Sequence, residues 1–77
     1  LLFWSDWTDL NEIGLGRSVA KIESSYLDGS GRKAIIDSMI HWPNGLAIDY
    51  DDGWLFWCDA FLDRIEKSRF DGGDRQV

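Results

Sequence analysis

Apolar and polar positions along this chain fall into short blocks, each closed by an acidic or glycine-bearing turn. Residues 1–5 are aliphatic and aromatic up to a serine, and Asp6 follows. A run of that length and content predicts a strand buried on both faces. Residues 22–27 predict a second strand, closed by Asp28-Gly29-Ser30-Gly31, and residues 32–37 a third. Residues 45–50 alternate apolar with small or polar side chains, and Asp51-Asp52-Gly53 turns the chain into a strand over residues 54–59. The last block, residues 63–70, ends at Asp71-Gly72-Gly73. Short strands separated by Asp-Gly turns predict an antiparallel all-β fold. Asp9-Leu10-Asn11-Glu12 has the form of a capping box, but Gly14 and Gly16 follow too soon to sustain a helix, so this segment predicts a loop.

The blocks repeat. Leu2-Phe3-Trp4-Ser5-Asp6 returns 53 residues later as Leu55-Phe56-Trp57-Cys58-Asp59. Lys21-Ile22-Glu23-Ser24-Ser25-Tyr26-Leu27-Asp28-Gly29 returns 43 residues later as Arg64-Ile65-Glu66-Lys67-Ser68-Arg69-Phe70-Asp71-Gly72, and Arg32 returns as Arg75. The difference between the offsets places an insertion within residues 8–18 of the first copy. A four-stranded unit of about 43 residues in tandem is the arithmetic of a β-propeller blade. Residues 1–41 then supply strands two to four of one blade, and residues 42–77 most of the next, with a fourth strand beginning at Arg75-Gln76-Val77. Two partial blades cannot close a ring, and their aromatic faces need neighbours. The isolated chain is expected to be marginally stable or to aggregate.

Composition narrows the functional classes. Eight Lys and Arg against fourteen Asp and Glu give a net charge of −6, the wrong sign for a nucleic-acid binder. The single Cys excludes an internal disulfide. No apolar run is long enough to span a bilayer, and no leader pattern opens the chain. Five Trp in 77 residues exceed what so short an unstapled core accommodates. Trp4, Trp54 and Trp57 read as packing residues between blades, Trp7 opens the insertion, and Trp42 is the one to place on a binding surface.

The two Phe-Trp-x-Asp stretches resemble the Tyr-Trp-Thr-Asp element of the low-density lipoprotein receptor class B repeat. So do Lys21-Ile22-Glu23, Leu27-Asp28-Gly29-Ser30-Gly31-Arg32-Lys33 and Trp42-Pro43-Asn44-Gly45-Leu46-Ala47-Ile48-Asp49. The resemblance covers nearly the whole chain outside the insertion and is strongest to the large receptor-related endocytic receptors. It implies a six-bladed propeller flanked by EGF-like modules on the extracellular side of a membrane receptor. The implied role is binding protein ligands and releasing them at endosomal pH, with no catalysis and no cofactor. The implied partners are those ligands, neighbouring blades and EGF-like modules, with no nucleic acid and no membrane insertion by this segment. Nidogen shares the repeat, so a secreted matrix protein is an alternative. Phe3 and Phe56 stand where the family has Tyr, and Ser5 and Cys58 where it has Thr. By the resemblance Phe3, Trp4, Asp6, Phe56, Trp57, Asp59, Ile22, Ile65, Asp28, Gly29, Asp71, Gly72, Pro43, Asn44 and Gly45 form the structural motif.

Candidate chemistry is sparse. Asp6 and Asp59 end strands, where a carboxylate accepts backbone N–H bonds from an adjoining turn or blade. Trp42, by resemblance on the ligand-docking face, reads as an interface anchor or as a ring packed over its own loop. His41 is the one side chain that titrates near neutrality in free form; it reads as an acid switch or an ordinary loop residue, and where a related receptor carries a His this chain has Asp63. Pro43-Asn44-Gly45-Leu46-Ala47 also resembles a segment of gluconolactonase-type propellers in which the Asn binds a divalent metal. Turn chemistry at Asn44-Gly45 is the favoured reading, because those hydrolases lack the repeat seen here. Cys58, amid aromatic residues, is expected to be buried and inert. Residues 49–53 fail the calcium-loop pattern, with Gly53 at position five, and read as a hairpin turn. The excess negative charge favours electrostatic steering of basic ligands.

Overall fold

All six apolar blocks form strands in the computed structural model, which describes every residue from Leu1 to Val77. The elements are β1 (Leu2–Asp6), α1 (Leu10–Gly14), β2 (Lys21–Ser25), β3 (Lys33–Ile36), β4 (Pro43–Asp49), β5 (Trp54–Asp59) and β6 (Arg64–Arg69). They make two antiparallel three-stranded sheets, in the orders β1-β2-β3 and β4-β5-β6. The repeat is preserved in register: Trp4 lies opposite Glu23 in the first sheet, and Trp57 opposite Glu66 in the second. Beyond β6 a single antiparallel bridge joins Lys67 to Gln76. It sits where Ser24 meets Lys33 in the first sheet.

Three expectations need correction. Residues 10–14 are a single helical turn, not loop. Asp9 caps it, its carboxylate accepting the Asn11 N–H at 2.7 Å, and Glu12 pairs with Arg17 at 2.8 Å. Gly14 comes only at the last helical position, and Gly16, at φ 73°, ends the turn. The fourth strand begins at Pro43, two residues early, because Gly45 at φ 60° makes a bulge inside it instead of a turn before it. β1 is an edge strand exposed at both ends, so it is not buried on both faces.

The sheets stack through Ala20, Ile22, Ile36 and Ile40 from the first repeat and Leu55 and Trp57 from the second. Phe3 tilts onto Phe70 with ring centroids 5.0 Å apart, and the Ser5 hydroxyl donates to the Pro43 carbonyl at 3.0 Å. Gly72, at φ 86°, lies so close to the Ile35 carbonyl that any Cβ would collide with it. Many apolar side chains lie outside this core, Leu1, Leu2, Leu27 and Ile65 among them.

Ile22 and Ile65 hold the same place in the repeat, yet Ile22 is fully buried and Ile65 is 64% exposed. Ile22→Ala is therefore expected to cost about 2–5 kcal/mol, the usual range for a core isoleucine. Ile65→Ala should stay within about 0.5 kcal/mol of the parent. Urea denaturation of the two variants tests the contrast; equal costs would refute the stacking.

Candidate functional site

Antiparallel pairing gathers three connections at one end of the molecule: residues 7–20 after β1, 37–42 before β4 and 60–63 after β5. The insertion joins this loop end through buried Thr8. The Thr8 Oγ1 accepts the N–H groups of Val19 (3.0 Å) and Ala20 (2.7 Å), which leaves its proton for Ser18 Oγ at 3.1 Å. Ser18 gives its own proton to the Ile40 carbonyl at 3.0 Å. The Thr8 backbone N–H reaches the His41 carbonyl at 2.9 Å. Thr8 is thus a neck through which the insertion is tied to the linker between the sheets. Sequence reading missed it, since nothing local distinguishes this threonine.

His41 and Trp42 converge on that neck. The His41 Nδ1 lies 3.1 Å from Ser18 Oγ. With the serine proton committed to Ile40, the imidazole must be the donor here. The Trp42 Nε1–H donates to the Thr8 carbonyl at 2.8 Å. Phe61, which sequence reading also missed, meets both rings edge-on, with centroids 5.0 Å from His41 and 5.4 Å from Trp42. Trp42 is half-buried, so it holds the loop end together while still presenting part of its ring. In the insertion Trp7, Leu10 and Leu15 stand in solvent, Trp7 63% exposed.

Asp59 fixes the two residues from below. Its carboxylate accepts four backbone N–H groups: His41 (2.8 Å), Trp42 (3.2 Å), Phe61 (3.0 Å) and Leu62 (3.1 Å). Burial alone would raise its pKa, but these four bonds stabilise the charged form and hold it below the usual carboxylate range. Asp6 is exposed and unpartnered by comparison.

Each repeat also builds a Trp–Glu–Arg cluster whose role was not read from the sequence. Arg32 grips Glu23 through Nε (2.9 Å) and Nη2 (3.0 Å), and the Trp4 Nε1–H donates to the same carboxylate at 3.2 Å. Arg75 grips Glu66 through Nε (2.8 Å) and Nη2 (3.2 Å), and reaches across to the carbonyls of Ser38 (2.6 Å) and Met39 (2.7 Å). In the second cluster Arg64 takes the place of the tryptophan donor, bonding Glu66 at 3.0 Å, and the buried Trp57 Nε1–H has no partner. Glu23 is held below its ordinary value chiefly by Arg32. Glu66 is pushed up by burial and brought lower by Arg75 and Arg64.

The remaining candidates separate from this end or change character. Asn44 lies exposed on β4 opposite Cys58, and no three His, Cys, Asp or Glu side chains converge on a metal-sized site. Cys58 is exposed, contrary to expectation. It alternates with buried Trp57 and Asp59 and so points to the open face of its sheet. Trp54 lies on that same face but is half-covered by Lys67 and Arg69, whose cations sit 4.1 Å and 3.7 Å from its ring. The Asp49 carboxylate accepts the N–H groups of Asp51 and Asp52, which is turn chemistry. Asp28 and Asp71 close the turns at Gly29 and Gly72 in the same way, accepting from Ser30 and Gly73.

Comparison with known proteins gives a consistent result. Residues 1–50 match the family model described as low-density lipoprotein receptor repeat class B. A sortilin-related receptor of Mus musculus is 41% identical over 56 residues, 73% of this chain and 2% of the receptor. The vitellogenin receptor Yl of Drosophila melanogaster is 34% identical over 77 residues, 100% of this chain and 3% of the receptor. The chain therefore spans only a few hundredths of the length of the curated relatives it matches.

Proposed function

From a chain that belongs to the low-density lipoprotein receptor class B repeat family, we infer a segment of an extracellular β-propeller in an endocytic receptor, one that presents its loop end to protein ligands. In this reading the parent propeller has six blades and adjoins EGF-like modules. Residues 1–41 contribute strands two to four of one blade, and residues 42–77 most of the next. The shared register of the two sheets and the bridge at Gln76 support that division. Trp42 is the anchor of the docking surface, and His41 stands beside it.

The observation that carries the reading is the apolar surface of the loop end. The Trp42 ring is immobilised by Thr8 and Phe61, and the insertion tied to the same neck exposes Trp7, Leu10 and Leu15. Rigid aromatic anchors of this kind dominate protein interfaces. One relative is named for vitellogenin, which makes purified vitellogenin the probe. Surface plasmon resonance on the immobilised chain should detect binding that weakens with added salt, given the net charge of −6. Trp7→Ala should weaken it by about 1–3 kcal/mol with no change in melting temperature, because Trp7 is exposed. Trp42→Ala should weaken binding similarly but also lower stability by about 1 kcal/mol, since the Thr8 carbonyl loses its donor. Binding unaffected by both substitutions would rule out this docking surface.

A further inference from the structure

Between the two sheets, at the end opposite the loops, lies a cleft of about 320 Å³ whose walls both belong to this chain. Ser24 and Tyr26 follow Ile22 at alternate positions and Lys33 lies opposite Ser24, so all three face the second sheet. Phe70 and Asp71, at the end of β6, close the other side. A Cβ at Gly31 would come within 2.8 Å of Tyr26 Cε2, so this glycine lets the tyrosine ring lie against its own turn. Pockets of about 300–1,000 Å³ with aromatic walls and a few polar groups are the usual form of small-ligand sites. The residues from the first sheet are not part of the repeat: the second copy has Lys67, Arg69 and Gln76 in the places of Ser24, Tyr26 and Lys33. Three polar groups in the cleft keep bonding capacity to spare. Ser24 is only 2% exposed, yet its hydroxyl makes no hydrogen bond within the chain, whereas neighbouring Ser25 donates to the Tyr26 carbonyl; a buried hydroxyl ordinarily has a partner. Every other Lys and Arg has a carboxylate or an aromatic ring beside it, and Lys33 has neither. Asp71 spends Oδ1 on the Gly73 N–H at 2.8 Å, which leaves Oδ2 open.

We propose that this cleft binds a small zwitterion bearing an aromatic ring, the chemistry of a free aromatic amino acid. The ring packs on Tyr26 and Phe70, the carboxylate pairs with Lys33 and accepts the Ser24 proton, and the ammonium pairs with Asp71 Oδ2. Charge decides between this ligand and simpler ones. An anion alone would satisfy Lys33 and face the Asp71 carboxylate, and a cation alone would do the reverse. A molecule carrying both charges satisfies both groups. The cleft lies at the opposite end from Trp42, so it stands independently of protein docking at the loops.

Equilibrium dialysis of the 77-residue chain against radiolabelled L-phenylalanine tests this. Saturable 1:1 binding is expected with a Kd of about 0.1–1 mM, in keeping with so small a ligand. Competition then separates the three contacts. L-phenylalaninamide lacks the carboxylate, N-acetyl-L-phenylalanine lacks the ammonium and L-alanine lacks the ring, and each should compete at least about tenfold more weakly than L-phenylalanine. Lys33→Met should abolish the preference for L-phenylalanine over its amide, and Asp71→Asn the preference over the N-acetyl compound. Lys33 and Asp71 are exposed and asparagine keeps the acceptor for Gly73, so both variants should retain the parent's circular dichroism. Ser24→Ala should weaken binding without lowering the melting temperature, because the hydroxyl bonds nothing in the fold. No binding at about 5 mM, or preferences unchanged in the variants, would overturn the proposal. So would an N-acetyl compound as tight as the free amino acid, which would mark a site for a carboxylate alone, such as a peptide C-terminus.

Discussion

Replacing Asp59 with alanine is expected to cost about 3–5 kcal/mol, the range for removing a buried carboxylate that holds several part-buried N–H groups at once. The carboxylate is the sole acceptor shown for the side-chain-bonded N–H groups of His41, Trp42, Phe61 and Leu62, and alanine supplies nothing in its place. A chain of this size has roughly 4–12 kcal/mol of stability in all, so the variant should be largely or marginally unfolded at room temperature. Asp6→Ala, at the same place in the repeat, should change stability by less than about 0.5 kcal/mol, because Asp6 is exposed. Urea denaturation of the pair reads the difference. Linkage gives the same residue a pH signature. Its folded pKa lies below the unfolded value, so its stabilisation is complete above the ordinary carboxylate range and drains away as pH falls through it. Glu66 contributes in the same direction. The melting temperature should be flat from pH 7 to about 5 and fall below about pH 4, the ordinary aspartate range. Mild acidity down to about pH 5 would then leave the fold intact. A fall in stability between pH 7 and 5 would contradict this account.

Trp57→Ala should be the costliest core substitution, about 3–5 kcal/mol for a buried tryptophan. The indole is fully buried between the sheets with the Arg75 guanidinium 5.4 Å from its ring. Removing it opens a cavity at the junction and loosens the Arg75 clamp on Ser38 and Met39. Trp57→Phe should be much milder, about 1–2 kcal/mol, because it keeps an aromatic body and removes an N–H that has no partner. Trp4→Ala should fall between the two, since Trp4 is only half-buried and gives up a bond to Glu23. Thermal melts of the three variants should rank in that order; a Trp4 variant as damaged as the Trp57 variant would mean that the two aromatic sites are equally enclosed.

Much of the secondary structure was legible because its causes are local. Asp-Gly turns and short aromatic runs place all six strands to within a residue or two, whereas the pairing of Trp57 with Glu66 came only from the folded sheet. The helical turn at α1 was missed because its stability comes from one cap and one ion pair, which the two glycines obscured. The loop end was legible in part. Trp42 and His41 were singled out, but Thr8 and Phe61, which hold them, are distant in sequence and ordinary in type.

The sequence by itself determined the strands, the turns, the repeat and its Trp–Glu–Arg clusters, since each depends on residues within one unit. It could not distinguish one copy of the unit from the other. Ile22 is enclosed and Ile65 open, Asp59 is saturated and Asp6 free, Gly72 is jammed against Ile35 where Gly29 meets nothing, and Cys58 faces outward. Equal sequences feel equal local forces. Burial, desolvation and the satisfaction of N–H groups depend on what lies across the junction, and only the stacking of the two sheets decided which copy has a neighbour there.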